Sequence, residues 1–89
     1  MIWSIGLSRQ AEKFLGKNGI SREHVFGLLQ TALKRFQGES VNIDIKKLKG
    51  EWDGFHRIRK GKVRIIAEFN FDRSSIFVEV IDWRGDIYK

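Results

Sequence analysis

Arg57, Arg59 and Arg64 are spaced so that a β-hairpin would gather them on one side, and gathered guanidinium groups bind anions through planar, permanently charged forks. They lie in Gly54-Phe-His-Arg-Ile-Arg-Lys-Gly-Lys-Val-Arg-Ile-Ile-Ala-Glu-Phe69, two strand-like runs broken at Lys60-Gly61-Lys62. Gly61 can adopt the positive φ that a short hairpin turn requires. After the break, Val63, Ile65, Ala67 and Phe69 alternate with Arg64, Ile66, Glu68 and Asn70, the period of a strand with one covered face. Two registers are open. A Lys60-Gly61 loop sets Arg57 opposite Arg64 and Ile58 opposite Val63; a Gly61-Lys62 loop sets Arg59 opposite Arg64 and Ile58 opposite Ile65. In both, Ile58, Val63 and Ile65 face one side while the arginines crowd the other. Like charges opposed on a sheet cost up to roughly 1 kcal/mol, so the cluster calls for an anion: phosphate, a carboxylate-rich partner, or one of the few acids nearby.

The wider charge pattern agrees. The chain has 89 residues and a net charge of +6, from 17 Lys and Arg against 11 Asp and Glu. That length suits one domain spanning residues 1–89, and that charge favours a polyanionic partner, nucleic acid above all. The excess is local: Lys46, Lys47, Lys49, Arg57, Arg59, Lys60, Lys62 and Arg64 share a stretch whose acids are Glu51 and Asp53 alone. With no cysteine there is neither a disulfide nor a thiolate metal site, and His24 and His56 lack the clustered ligands a metal needs. No metal or cofactor is expected. No apolar run approaches the roughly 20 residues that cross a bilayer, and no signal-peptide pattern opens the chain. A cytoplasmic protein without membrane contact is the expectation.

The elements that must hold the hairpin follow from periodicity. Trp3, Ile5 and Leu7 mark a first strand. Ser8 caps a short helix with Ala11, Phe14 and Leu15 on its apolar stripe, stopped at Gly16-Lys-Asn-Gly19. Ser21 caps a second helix whose stripe is Val25, Leu28, Leu29, Ala32, Leu33 and Phe36, ended by Gly38. Val41, Ile43 and Ile45 alternate with polar residues in an extended segment, which reads equally as a loop with its apolar side tucked in. After the hairpin, Asp72-Arg-Ser-Ser is a turn and Ile76–Ile81 a last strand, with Ile76, Val78 and Val80 continuing the apolar face. Gly85 lets the chain bend so that Arg84 and Tyr88 return toward the basic side. The order β-α-α-β-β-β gives an α+β domain: a small, mostly antiparallel sheet, a helical pair on one face and a basic, partly concave opposite face.

Leu48-Lys-Gly50, Phe55-His-Arg-Ile-Arg59, Val63-Arg-Ile-Ile66 and Val80-Ile-Asp-Trp-Arg-Gly-Asp-Ile-Tyr88, in that order, resemble the RelE/ParE superfamily of toxins from type II toxin-antitoxin systems. The likeness spans nearly the whole chain. It implies a toxin neutralised by a cognate acidic antitoxin, either as a monomer or within a toxin-antitoxin hetero-oligomer. RelE-like members cleave mRNA on the ribosome; ParE-like members inhibit DNA gyrase. A basic RNA-binding module without catalysis is the further alternative. In the RelE-like branch the working positions correspond here to Arg57, Arg59, Arg64, Arg84 and Tyr88.

Such a set fits RNA cleavage without a metal, in which the ribose 2′-OH attacks the adjacent phosphorus and fixed cations meet the charge that builds on the phosphorane oxygens. The resemblance implies Arg57 and Arg64 at the scissile phosphate, Arg59 at a neighbouring phosphate or the leaving oxygen, Arg84 at the leaving group and Tyr88 in proton transfer or stacking. Lys46, Lys47, Lys49, Lys60 and Lys62 would hold RNA or the ribosome, with Trp83 as a stacking surface. This chain departs from the pattern twice. Arginines stand where some relatives have lysines, and arginine, with a pKa above about 12, is a poor general base. Trp83 stands where many relatives have histidine. His56 could replace that acid, but its strand parity directs it toward the helices with Ile58.

Overall fold

A computed structural model of the chain describes residues 3–83. The elements in order are β1 (Ser4–Leu7), α1 (Arg9–Asn18), α2 (Arg22–Phe36), β2 (Asp44–Lys47), a 3-10 turn (Gly50–Trp52), β3 (Phe55–Lys60), β4 (Val63–Asn70) and β5 (Ser75–Trp83). Arg84, Gly85 and Tyr88, on which the expected C-terminal return depends, lie outside the described residues.

Both helices start where a serine hydroxyl is available. Ser8 Oγ accepts from Ala11 N–H at 3.1 Å and Ser21 Oγ from His24 N–H at 3.2 Å, each satisfying a first-turn amide that has no helical partner. Gly19 ends α1 at φ 64°, a left-handed cap that favours glycine. The apolar stripes of the helices, from Ala11 and Leu15 to Val25, Leu28, Leu29, Ala32 and Leu33, form one core with Ile58, Val63, Ile65, Ala67, Phe69, Ile76, Val78 and Ile81. The helices thus cover one face of the sheet.

The sheet runs β1-β5-β4-β3-β2, with β1 parallel to β5 and every other pairing antiparallel. The extended segment at residues 44–47 does pair, as an edge strand on β3, so the sheet has five strands. The hairpin takes the register with Arg59 opposite Arg64 and Ile58 opposite Ile65, leaving Gly61-Lys62 as the loop and Gly61 at φ 60°. Positive φ at the first loop position is what a type II′ turn requires, and that turn's twist matches the strands it joins.

β5 departs from simple alternation. Ile66 pairs with Val80 but Ala67 pairs with Val78, so Glu79 is an extra residue at a β-bulge. The insertion reverses the parity: Ile76 and Val78 face the helices before it and Ile81 after it, whereas Val80, opposite Ile66, joins the other face. The expectation that Val80 continues the apolar layer is therefore corrected. α1 secures the bulge. Ser8 N–H donates to Val78 O at 2.9 Å and Ser8 Oγ to Glu79 O at 2.6 Å. The Gln10 side-chain amide then donates to Ile81 O at 3.1 Å and accepts from Ile81 N–H at 3.2 Å, continuing with a side chain the ladder that β1 began.

This parity has a measurable consequence. Ile81→Ala should lower unfolding free energy by about 2–5 kcal/mol, since its site is fully enclosed, and Val80→Ala by no more than about 1.5 kcal/mol. Equal losses in urea denaturation would contradict the bulge.

Candidate functional site

On the face away from the helices, strand register builds two rows of side chains across β2, β3, β4 and β5. One row is Asp44, Arg59, Arg64, Asp82; its neighbour is Lys46, Arg57, Ile66, Val80. The expected side-by-side placement of Arg57, Arg59 and Arg64 is therefore present, backed by apolar Ile66 and Val80. Arg64, on the central strand β4, is only 2% exposed.

Asp44 is the acid that the cluster calls for. Arg59 Nε donates to its Oδ2 at 2.8 Å and Arg59 Nη2 donates to the same oxygen. Arg57 Nη2 lies 3.5 Å from both carboxylate oxygens, at the outer limit of a hydrogen bond. The Arg59 hydrogen bonds hold the Asp44 carboxyl below its ordinary 3.8, outweighing the upward push of partial burial, with the charges of Arg59 and Arg57 adding to the effect. Asp44 is thus ionised at neutral pH. Its folded pKa is the lower one, so the stability from this pairing is present above 3.8 and disappears as pH falls toward the lowered value. With the Asp44 side chain 46% exposed, solvent screening keeps that contribution small.

Arg57 has a different balance. Its side chain is 12% exposed, and its buried Nε finds no hydrogen-bond partner among the described residues. A buried donor left so costs about 1–3 kcal/mol.

The other expected contact residues divide by parity. Lys46, exposed and opposite Arg57, shares the arginine face. Lys47 pairs with His56 and Lys60 with Val63, so both follow the helix-side parity at the sheet margin, and Lys60 Nζ donates to Asn42 O at 2.9 Å. Lys49 and Lys62 are exposed in the connections. Trp83 stands apart from the arginines: its ring lies 5.3 Å from that of Phe14 and its Nε1 donates to Asn18 Oδ1 at 3.2 Å, on the helix side. His56 also faces the helices, as its parity predicts, with ring centroids 5.0 Å from Phe36 and 5.8 Å from Phe69. Arg84 and Tyr88 lie outside the described residues. No group of three or more His, Cys, Asp or Glu placed to hold a metal occurs among the described residues, and no described helix is long and apolar enough to cross a membrane.

Sequence reasoning passed over Asp44, which reads locally as one polar position in an alternating segment. Its importance arises from a pairing between residues 44 and 59. The segment before it is held by Arg35, whose Nη1 donates to Val41 O at 3.3 Å and Ile43 O at 3.1 Å. The usable sequence signal was an acid at the polar phase of a short apolar alternation, placed ahead of an arginine strand.

No protein-family model matches the sequence, and no curated protein matches it. The three-dimensional likeness is extensive. A chain of the archaeal RelE–RelB complex from Pyrococcus horikoshii OT3 is 24% identical, with a TM-score of 0.64 over 97% of this chain and 99% of that one. A chain of the RelB–RelE antitoxin–toxin complex from Methanococcus jannaschii is 26% identical, with a TM-score of 0.57 over 93% and 94%. The conserved hypothetical protein HP0892 from Helicobacter pylori is 17% identical, with a TM-score of 0.68 over 97% and 99%. The expected RelE-like α+β fold is the fold observed.

His56 supplies a pH test of this parity. Burial, helped by the charge of Lys47, holds its pKa below the ordinary 6.5. The unfolded chain then takes up the proton first, so stability present above about pH 6.5 falls as pH drops from there toward the folded pKa. His56→Phe, an aromatic of similar shape among Phe36 and Phe69, should flatten the fall in melting temperature between about pH 6.5 and 5. An unchanged slope in that variant would show His56 to be solvated.

Proposed function

We propose that this chain, which carries the fold of the RelE-type toxins along its described length, is the toxin of a type II toxin-antitoxin system and a metal-independent, ribosome-dependent mRNA endonuclease. The observation that supports this most is the gathering of Arg57, Arg59 and Arg64 on one sheet face, in two adjacent rows of register. Cleaving RNA without a metal places its main demand on fixed cations, and this face supplies them.

In the proposed reaction the ribose 2′-oxygen forms a bond to the neighbouring phosphorus as the bond from phosphorus to the 5′-oxygen breaks, leaving a 2′,3′-cyclic phosphate and a 5′-hydroxyl. The proton lost from the 2′-OH is balanced by one gained at the 5′-oxygen. Arg57 and Arg64 meet the charge on the non-bridging oxygens, and Arg59 holds the leaving oxygen or the next phosphate along. Fixed donors aimed where charge develops stabilise the transition state more than the ground state. Arg57, whose Nη2 meets Asp44 only at 3.5 Å, has the clearest capacity for a new oxygen ligand. Arg84 and Tyr88 complete the proposed set, Arg84 at the leaving group and Tyr88 in proton transfer. Lys46, Lys49 and Lys62 add sequence-independent attraction to the phosphate backbone. Lys47 and Lys60, at the sheet margin, contribute at longer range. Trp83, engaged with Phe14 and Asn18, serves this reading as an anchor on the helix side rather than as a base-stacking surface. The partner is an acidic antitoxin segment that lays carboxylates against the arginine face, and the site of action is the cytoplasm.

Added to translating ribosomes, the purified chain should cut mRNA at defined positions. Arg57→Ala and Arg64→Met, the latter filling buried space without charge, should each lower cleavage on the order of 100-fold or more while circular dichroism shows the fold retained. Full cleavage by a folded Arg64→Met, or inhibition of gyrase supercoiling with no mRNA cuts, would refute the endonuclease reading.

A further inference from the structure

Two arginines of the face away from the helices already engage an anion. Asp44 takes hydrogen bonds from Arg59 through Nε and Nη2 and draws Arg57 Nη2 to 3.5 Å, so one carboxylate engages the forks of two guanidinium groups. Arg59 thus turns two N–H groups onto one anionic oxygen, the kind of charge-assisted donation with which arginine also meets a phosphate oxygen. The carboxylate is not a chance contact of a mobile side chain. It stands in backbone register with Arg59, on an edge strand whose approach is secured by Arg35 on Val41 O and Ile43 O and by Lys60 on Asn42 O. Ile43 is itself buried in the core.

We propose that Asp44 is a tethered anion that occupies the phosphate site in the free protein and must yield its arginines when RNA enters. The inference rests on reading the arginine face as a phosphate site. Two properties suit Asp44 to being displaced. Its side chain is 46% exposed, and exposed ion pairs shift an equilibrium by no more than about fivefold, so a phosphodiester that accepts from several arginine N–H groups at once outcompetes it. Arg57 also meets Asp44 only at 3.5 Å through Nη2, so an incoming phosphate can close on a guanidinium that the carboxylate holds loosely. Until then Asp44 offsets the repulsion between Arg57, Arg59 and Arg64 and keeps the guanidinium groups oriented. It thereby raises the threshold for anion binding, so that a weak or isolated phosphate is rejected while a properly presented RNA backbone is accepted. Held by Arg59 and fully ionised, Asp44 is a positioning residue and a weak candidate for the base that takes the 2′-OH proton.

The test measures binding apart from cleavage. A labelled single-stranded RNA bearing 2′-O-methyl groups has no 2′-OH to attack, and its anisotropy would be followed with the wild type, Asp44→Asn, Asp44→Glu and, as a control for net charge, Glu12→Gln. Glu12 pairs with Arg22 on the helices and leaves the arginine face untouched. Asp44→Asn should bind about two- to fivefold more tightly, with a steeper dependence on salt as the freed cations exchange more counter-ions; Asp44→Glu and Glu12→Gln should stay near the wild type. Inorganic pyrophosphate, as the simplest competitor, should show the same ranking. An equal gain in Glu12→Gln would reduce the effect to net charge and overturn the proposal. Weaker binding by a folded Asp44→Asn would also overturn it, since the carboxylate would then only orient the arginines. If Asp44→Asn fails to fold, NMR of the wild type decides: the Asp44 carboxyl and Arg59 Hε resonances should move together on adding RNA, and a stationary Asp44 signal would overturn displacement. RNA binding without any gain from Asp44→Asn sinks this inference and leaves the endonuclease reading standing. A gain with pyrophosphate but no RNA binding by any variant sinks the endonuclease reading and leaves the tethered anion.

Discussion

Guanidinium groups on neighbouring positions of one sheet face repel, and the rest of this structure can be understood as what makes that arrangement tolerable. Arg59 and Arg64 are directly opposed across the hairpin, and Arg57 lies one row away. A sheet accepts such a conflict only if its other face more than compensates. Here that face carries Ile58, Ile65, Ala67, Val78 and Ile81, all fully enclosed beneath the helices. Burial of a large aliphatic side chain contributes about 1.5–3 kcal/mol, against roughly 1 kcal/mol or less for an opposed like-charge pair. Hydrophobic packing thus sets the register, and the arginines take the positions it leaves them.

Stiffness at the two sides of the sheet turns that register into a site. On one side, Arg35 and Lys60 hold the chain that enters β2, which delivers Asp44 to the arginines. On the other, Ser8 and Gln10 secure the bulge of β5, which turns Val80 and Asp82 toward the arginine face and Ile81 and Trp83 away from it. The result is a row of acid, arginine, arginine, acid across four strands. Cations flanked in this way are held at fixed positions with part of their charge offset. On the proposed reading, a polyanion would meet a preorganised surface rather than a set of independent side chains.

Much of this was legible before any coordinates. Helix caps at Ser8 and Ser21, the left-handed stop at Gly19 and the division of Ile58, Val63 and Ile65 from Arg57, Arg59 and Arg64 all follow from local rules, and all are observed. What local rules missed has a common physical origin. The pairing of β2 was open because a four-residue segment carries little periodicity, and its partner lies beyond the 3-10 turn. The bulge at Glu79 was invisible because Ile76, Val78 and Val80 alternate without interruption; the phase breaks in the pairing with β4 and in the hydrogen bonds from Ser8 and Gln10, all remote in sequence. Asp44 went unnoticed for the same reason, since its importance lies in a contact between distant residues.

In the proposed function, Arg57, Arg59 and Arg64 act as one phosphate-binding unit. The most direct measurement is guanidinium NMR of the arginine side chains during titration with a non-cleavable single-stranded RNA. The Hε resonances of these residues should shift together, with one dissociation constant, while that of Arg22 on the helix side stays in place. Separate dissociation constants for the three, or shifts confined to other arginines, would contradict it.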